Sequence, residues 1–206
     1  MLVRSAFSRY NGAMKCAYVV FDFFGVICSE VAPFWLARHF GQEKAAALKV
    51  DVVGAADRGE IDERNLFEQL GRLSGGAPEQ VEADWYALAT IDPRMVQLVR
   101  DMRRSCRIGL LTNAPSSFIR TLLVQHHIDG LFDAVTISSE LGVAKPEPRA
   151  YMEVLSRLGA SAAQTVFIDD NPANVVVAEQ IGMHGYLFSS YEALLSYLPG
   201  YSITPR

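Results

Sequence analysis

Long apolar runs are missing from this chain: nothing in its 206 residues approaches the ~20 consecutive apolar positions that a membrane-crossing helix needs. Cysteine is scarce too. Cys16, Cys28 and Cys106 stand far apart with no C-x-x-C pair, so neither a disulfide framework nor a thiolate zinc site is indicated. The four histidines, among them the neighbours His126 and His127, show no metal-ligand spacing. Positive charge is not in excess: 19 Lys and Arg face 23 Asp and Glu, a net charge of −4, which gives no general reason to hold a polyanion. The expectation is a cytoplasmic protein with no membrane and no nucleic acid among its partners. The opening MLVRSAFSRYNGAMK is free of acids but lacks the apolar core of a secretory signal. Residues 1–13 then read as an N-terminal extension with Met14 as an alternative start, and an organellar transit peptide as the competing reading.

What the chain does have is apolar residues, half of the total, with a fifth charged. That suits one domain carrying a modest insertion. Five short apolar runs stand out: AYVVFD ending at Asp22, RIGLLTN at Asn113, AVTISS at Ser139, TVFIDD at Asp170 and GYLF at Phe188. Their hydrophobicity is continuous rather than alternating, as in strands buried on both faces of a parallel sheet. Helical spacing recurs over Ser116–His126, Arg149–Leu158, Asn174–Ile181 and Tyr191–Leu198. Strand and helix in alternation predict an α/β fold, a doubly wound, parallel five-stranded sheet. From Glu30 to Asp92 no strand-like run appears, while Trp35, Leu36 and Phe40, then Leu66, Phe67 and Leu70, then Val81, Trp85 and Leu88 mark amphipathic helices. Residues 30–92 are therefore expected to form a helical cap on a core of 14–29 and 93–206, above the sheet edge where such folds bind ligands.

Polar residues collect at the ends of the apolar runs. Asp22 ends the first, Thr112 and Asn113 the second, Asp169 and Asp170 the fourth, and Lys145 stands in the loop LGVAKPEPRAY. Taken singly, each has a bland explanation: a turn or helix-capping Asp, a capping Thr or Asn, a solvated loop lysine. Brought together at one sheet edge, three carboxylates repel unless a cation sits among them. Hard oxygen ligands suit Mg²⁺, and a lysine with a threonine hydroxyl beside them suits a phosphoryl group.

In order and spacing, VVFDFFGV, LLTNA, GVAKPEPRAY and FIDDNPANVVVAEQIGM resemble the four motifs of the haloacid dehalogenase (HAD) superfamily, in its phosphatase-like branch with a helical cap. The resemblance runs from Ala17 to Phe188, and the segment DRGEIDERNLFEQL is similar to caps of sugar-phosphate phosphatases. It implies a HAD-like Rossmannoid core and a Mg²⁺-dependent hydrolase of a small phosphorylated metabolite. Asp22 would be the nucleophile that becomes phosphorylated. Thr112 and the Asn113 backbone would hold phosphoryl oxygens, and Lys145 would bridge phosphate and Asp22. Asp22, the Phe24 carbonyl, Asp169 and Asp170 would take the metal.

One position departs from the pattern. The family's phosphatases place an acid–base Asp two residues after the nucleophile, and this chain has Phe24 there. A positioned acid or base is worth roughly 10²- to 10⁴-fold, so slow hydrolysis survives its loss. The alternatives are a catalytically weak or inactive HAD-like phosphometabolite-binding protein and, less favoured, a 2-haloacid dehalogenase. Dehalogenases of the family need no metal and carry a water-activating Asp where this chain has Asn174. Arg38 in the cap segment is read as solvated rather than as a carboxylate anchor.

Overall fold

The computed structural model describes residues 16–201, so the expectations for residues 1–13 and for Met14 lie outside the described residues. Five parallel strands form one sheet: β1 (Tyr18–Phe21), β2 (Arg107–Thr112), β3 (Ala134–Ile137), β4 (Thr165–Asp169) and β5 (His184–Leu187), in the order β3-β2-β1-β4-β5. The sheet is the one expected, with small shifts at its ends. The third strand stops at Ile137 because Ser138 and Ser139 open a short helix, α8 (Ser138–Leu141). The fifth begins one residue earlier than GYLF suggested, where His184 pairs with Val166.

Alternate residues of the strands face opposite sides, as the period of two demands. Val19, Phe21, Ile108, Leu110, Val166 and Ile168 join the larger core cluster, whereas Val20, Leu111 and Phe167 pack with Tyr151, Val154 and Leu158 on the other face. The crossovers are α6 (Pro93–Met102), α7 (Ser116–Gln125), α9 (Pro148–Leu158) and α10 (Pro172–Gln180), followed by α11 (Tyr191–Tyr197). Three of these carry proline in the first turn, where the missing N–H costs nothing. Asn171 caps α10 through its side chain, so that helix starts two residues before the expected Asn174. Helix α6 was absent from the expected elements, although Asp92 caps it and Met95, Val96, Leu98, Val99 and Met102 bury its inner face.

Between β1 and α6 the chain is helical: α1 (Ala32–His39), α2 (Gln42–Leu48), a π-helical turn (Lys49–Val53), α3 (Gly54–Asp57), α4 (Glu63–Ser74) and α5 (Pro78–Leu88). Trp35, Leu36, Leu66, Phe67, Leu70, Val81 and Trp85 are buried and continuous with the larger core cluster. Full burial of such a side chain contributes about 1.5–3 kcal/mol, so the insert is firmly held. Its entering and leaving segments run side by side. The Asp92 N–H donates to the Ile27 carbonyl and the Ser29 N–H to the Thr90 carbonyl, both at 2.9 Å. The Ser29 hydroxyl donates to the Leu88 carbonyl at 2.6 Å.

Strand β1 occupies the centre of the sheet, between β2 and β4. Connections run one way from β1 through β2 to β3, then restart at β4 on the other side, so strand order reverses between β1 and β4. Doubly wound folds open their ligand crevice at that reversal.

Candidate active site

Asp22 directly follows β1, and its backbone stays in sheet register because its N–H donates to the Ile168 carbonyl at 2.8 Å. One carboxylate oxygen accepts the Phe23 N–H at 2.6 Å and the other meets the Lys145 ammonium at 2.7 Å. The same ammonium lies 2.7 Å from Asp169. Lys145 is buried, and its main chain is clamped by a single side chain. Asn113 donates Nδ2 to the Lys145 carbonyl and accepts the Lys145 N–H, each at 2.9 Å. The Asn113 side chain thus positions the lysine.

Asp169 and Asp170 are adjacent in sequence and opposite in situation. Asp169 is fully buried. Its Oδ1 accepts from the Asn171 N–H (2.8 Å) and Asn174 Nδ2 (3.0 Å), and its Oδ2 from Lys145 Nζ (2.7 Å) and Asn174 Nδ2 (3.0 Å). Donors already surround its acceptor positions. Asp170 is half-buried and makes no side-chain hydrogen bond to described residues. It lies against Gly25, whose φ of 76° is the left-handed region that glycine alone enters freely. A Cβ at Gly25 would overlap the Asp170 carboxylate, so this glycine lets the loop after β1 and the end of β4 close on each other.

Asp22, Asp169 and Asp170 each offer an oxygen within 4.8 Å of the others. Three carboxylates against one ammonium leave an excess of negative charge, which a divalent cation offsets. The donors are hard oxygens, with no thiolate or imidazole beside them, so the residues fit Mg²⁺. Burial pushes the Asp22 carboxyl well above the usual range, with the Lys145 ammonium opposing and Asp169 adding to the push. Burial alone would weaken the charge on Lys145, but Asp22 and Asp169 outweigh it and hold its pKa above that of an ordinary lysine. Burial, then Asp169, raises Asp170. Thr112 is fully buried and its Oγ1 has no hydrogen-bond partner among the described residues. A buried hydroxyl left so is costly unless a ligand engages it.

The helical insert roofs Asp22, Asn113, Lys145 and Asp170 over a cavity of about 180 Å³, which Thr112 and Asp169 do not line. Phe24 lines it. The Phe24 ring stacks on Phe118 of α7 with centroids 5.9 Å apart and meets Phe23 edge-on at 5.1 Å. Phe118 in turn touches Trp85 and Tyr86 of α5, so an aromatic wall runs from the core loop into the insert. Phe24 therefore leans on the core helix α7.

Among the lining residues that were not expected at the site, the insert supplies four with polar side-chain atoms: Glu30, Lys49, Asp57 and Trp85. Asp57 belongs to DRGEIDERNLFEQL, the one sequence signal that pointed at this region. Lys49 sits in the π-helical turn, which no simple periodicity reveals. Burial raises the pKa of Glu30 and of Asp57, with Lys49 the chief opposing charge in both cases.

A family model described as haloacid dehalogenase-like hydrolase matches residues 17–182. The chain is 31% identical over 133 residues to a sesquiterpene phosphatase of Aspergillus oryzae, a match covering 63% of this chain and 68% of that one. It is 34% identical over 127 residues to a phosphatase of Mycobacterium tuberculosis, covering 60% of this chain and 58% of the mycobacterial protein's length. Among solved structures it resembles a HAD family enzyme of Bacteroides thetaiotaomicron in complex with magnesium and inorganic phosphate. That likeness has a TM-score of 0.70 at 21% identity and covers 88% of this chain and 98% of the other.

Proposed function

The chain belongs to the haloacid dehalogenase-like hydrolases, and from that premise we propose that it is a Mg²⁺-dependent phosphatase of a small phosphorylated metabolite acting through an aspartyl-phosphate on Asp22. The observation that carries the reading is the Lys145 ammonium, 2.7 Å from both Asp22 and Asp169. Phosphatases among the relatives support it.

In this reading Asp22 attacks phosphorus in line, and the ester oxygen leaves as the Asp22–phosphorus bond forms. Lys145 and the Thr112 hydroxyl stabilise the charge that spreads over the phosphoryl oxygens, in a pocket poor in water. Asn113 and Asp169 hold Lys145 in place. Asp22, the Phe24 carbonyl and Asp170 would hold Mg²⁺, with Asp169 occupied by its own donors. The bound ion would orient the phosphoryl group and offset its repulsion from the nucleophile. Water then releases phosphate from Asp22. The insert acts as the cap that excludes solvent during the reaction.

The second reading, a binding protein without turnover, rests on the Phe24 ring standing where the family's proton carrier belongs. The dehalogenase reading fits less well, because Asn174 is engaged with Asp169 and two acids end β4. Phosphate release from a panel of phosphate monoesters, with Mg²⁺ and then with chelator, separates the three. The phosphatase releases phosphate only with the ion. The binding protein shows only thermal stabilisation. Halide release from a 2-haloacid without metal marks the dehalogenase.

A further inference from the structure

Phe24 leaves the reaction without a proton carrier on the core side of the cavity, and the insert presents carboxylates on the other. Asp57 ends α3, lines the cavity with Asp22, Lys145 and Asp170, and is 7% exposed. Its ion-pair partner is the Lys49 ammonium at 3.6 Å, beyond hydrogen-bond length. The corner that carries it is pinned to the core. Gly59, two residues on, has a φ of 73°, and its backbone presses so closely on Ser139 of α8 that a Cβ there would overlap the Ser139 carbonyl. This contact holds the corner that carries Asp57 against α8, directly after β3.

We infer that Asp57 is the acid–base residue of this site, carrying from the cap the proton that Phe24 cannot carry from the core. The inference rests on the phosphatase reading. In the first step the bond from Asp22 to phosphorus forms, the bond from phosphorus to the ester oxygen breaks, and that oxygen takes the proton of the Asp57 carboxylic acid. In the second, a water oxygen bonds to phosphorus, its proton returns to Asp57, and the Asp22–phosphorus bond breaks. The cycle restores Asp57 as the acid and Asp22 as the carboxylate, with alcohol and phosphate as products.

The surroundings suit both halves of this cycle. Burial favours the neutral acid, and Lys49 favours the carboxylate formed when the proton leaves. The charged groups around Asp57 are Lys49 from the π-helical turn, Arg58 beside it, Lys145 from the loop before α9, and Asp22, Glu30 and Asp170, which line the same cavity. Arg58 is engaged with Glu60 at 2.6 Å. Glu30 is the competing carboxylate, and it is less buried and nearer in charge to Asp170.

The test compares Asp57→Asn and Glu30→Gln with the unaltered protein, in Mg²⁺, on glycerol 2-phosphate and para-nitrophenyl phosphate. Asp57→Asn should lose roughly 10²- to 10⁴-fold on glycerol 2-phosphate, whose alkoxide leaves poorly unprotonated. On para-nitrophenyl phosphate it should keep the initial burst of nitrophenolate while phosphoenzyme breakdown slows. Lys49→Met leaves Asp57 in place but removes its cation, so the pH limb set by this group should move to higher pH. That variant keeps the test open if Asp57→Asn fails to fold. A change of less than about twofold in Asp57→Asn on both esters overturns the inference. So does an unmoved pH limb in Lys49→Met, or the same selective loss in Glu30→Gln with Asp57→Asn unaffected. If the unaltered protein gives neither burst nor phosphate from either ester, the phosphatase reading itself has failed, and this inference with it.

Discussion

The floor and the roof of the cavity are built to different standards. On the floor Asp22, Asn113, Lys145 and Asp169 are joined by contacts of 2.7–2.9 Å, and Asn174 closes the network at 3.0 Å from Asp169. In the roof, Lys49 and Asp57 stand 3.6 Å apart, Glu30 makes no hydrogen bond or ion pair with described residues, and the Trp85 Nε1 is buried without a partner. Apart from the Thr112 hydroxyl, which has no partner among the described residues, this network holds groups that need one geometry in every turnover. A looser roof leaves its groups available to whatever enters. On the proposed function, the difference assigns phosphoryl chemistry to the sheet edge, and proton transfer and substrate choice to the insert.

The strongest way to break that division is at the nucleophile. Asp22→Asn should lower turnover by at least roughly 10⁴-fold with the melting temperature nearly kept, since the amide has nearly the shape of the carboxylate but is a poor nucleophile. Steady-state phosphate release and a thermal melt check both halves. Lys145→Ala comes next. It should cost roughly 10²- to 10³-fold in rate, and about 3–5 kcal/mol in stability, because two buried carboxylates lose their shared cation. Its pH dependence has a definite sign. A carboxyl whose folded pKa is raised, as Asp22's is by burial, binds its proton more tightly in the folded state. The variant should be least destabilised in acid and lose stability as pH rises from the ordinary carboxylate range towards the raised value. Denaturant melts across pH measure this, and a loss that is greatest in acid would contradict it.

Gly25→Ala tests the floor more gently. Strain from the left-handed φ, about 1–2 kcal/mol, combines with displacement of the Asp170 carboxylate. Half-maximal activity should then need roughly 10- to 100-fold more Mg²⁺, read from a metal titration. The smallest effect belongs to the roof's scaffold. Asp62 caps α4 by accepting the Asn65 N–H at 2.8 Å, so Asp62→Ala should lower stability by about 1 kcal/mol and leave turnover unchanged. A matching loss of activity would show that the insert cannot be perturbed independently of the floor.

The floor was legible in the sequence because strand ends report their own position. A buried parallel strand is a continuous apolar run, and the first polar residue after it must lie at the sheet edge, which located Asp22, Thr112, Asn113, Asp169 and Asp170. What stayed hidden was the division of labour within the pair that ends β4. Whether Asp169 or Asp170 is wrapped in donors depends on Asn171, Asn174 and Lys145, which reach it only through the fold. The roof was legible as helices and illegible as chemistry. Trp85 reads as the apolar side of an amphipathic helix, which it also is. Lys49 and Asp57 sit in a π-helical turn and a four-residue helix, where neither a period of 3.6 nor a period of 2 says which way a side chain faces. Helix α6 was missed for a different reason. Pro93 reads as punctuation between segments, although proline after a capping Asp is equally the start of a helix.

The most direct test of covalent catalysis at Asp22 is to find the phosphoryl group on the chain. The protein is mixed with Mg²⁺ and para-nitrophenyl phosphate, quenched, and reduced with borohydride, which converts an aspartyl-phosphate to homoserine. Peptide mass spectrometry then reads every aspartate. Homoserine at position 22, dependent on Mg²⁺ and absent from Asp22→Asn, is the predicted result. Phosphate release with no homoserine at position 22, or with homoserine at another aspartate, would contradict it.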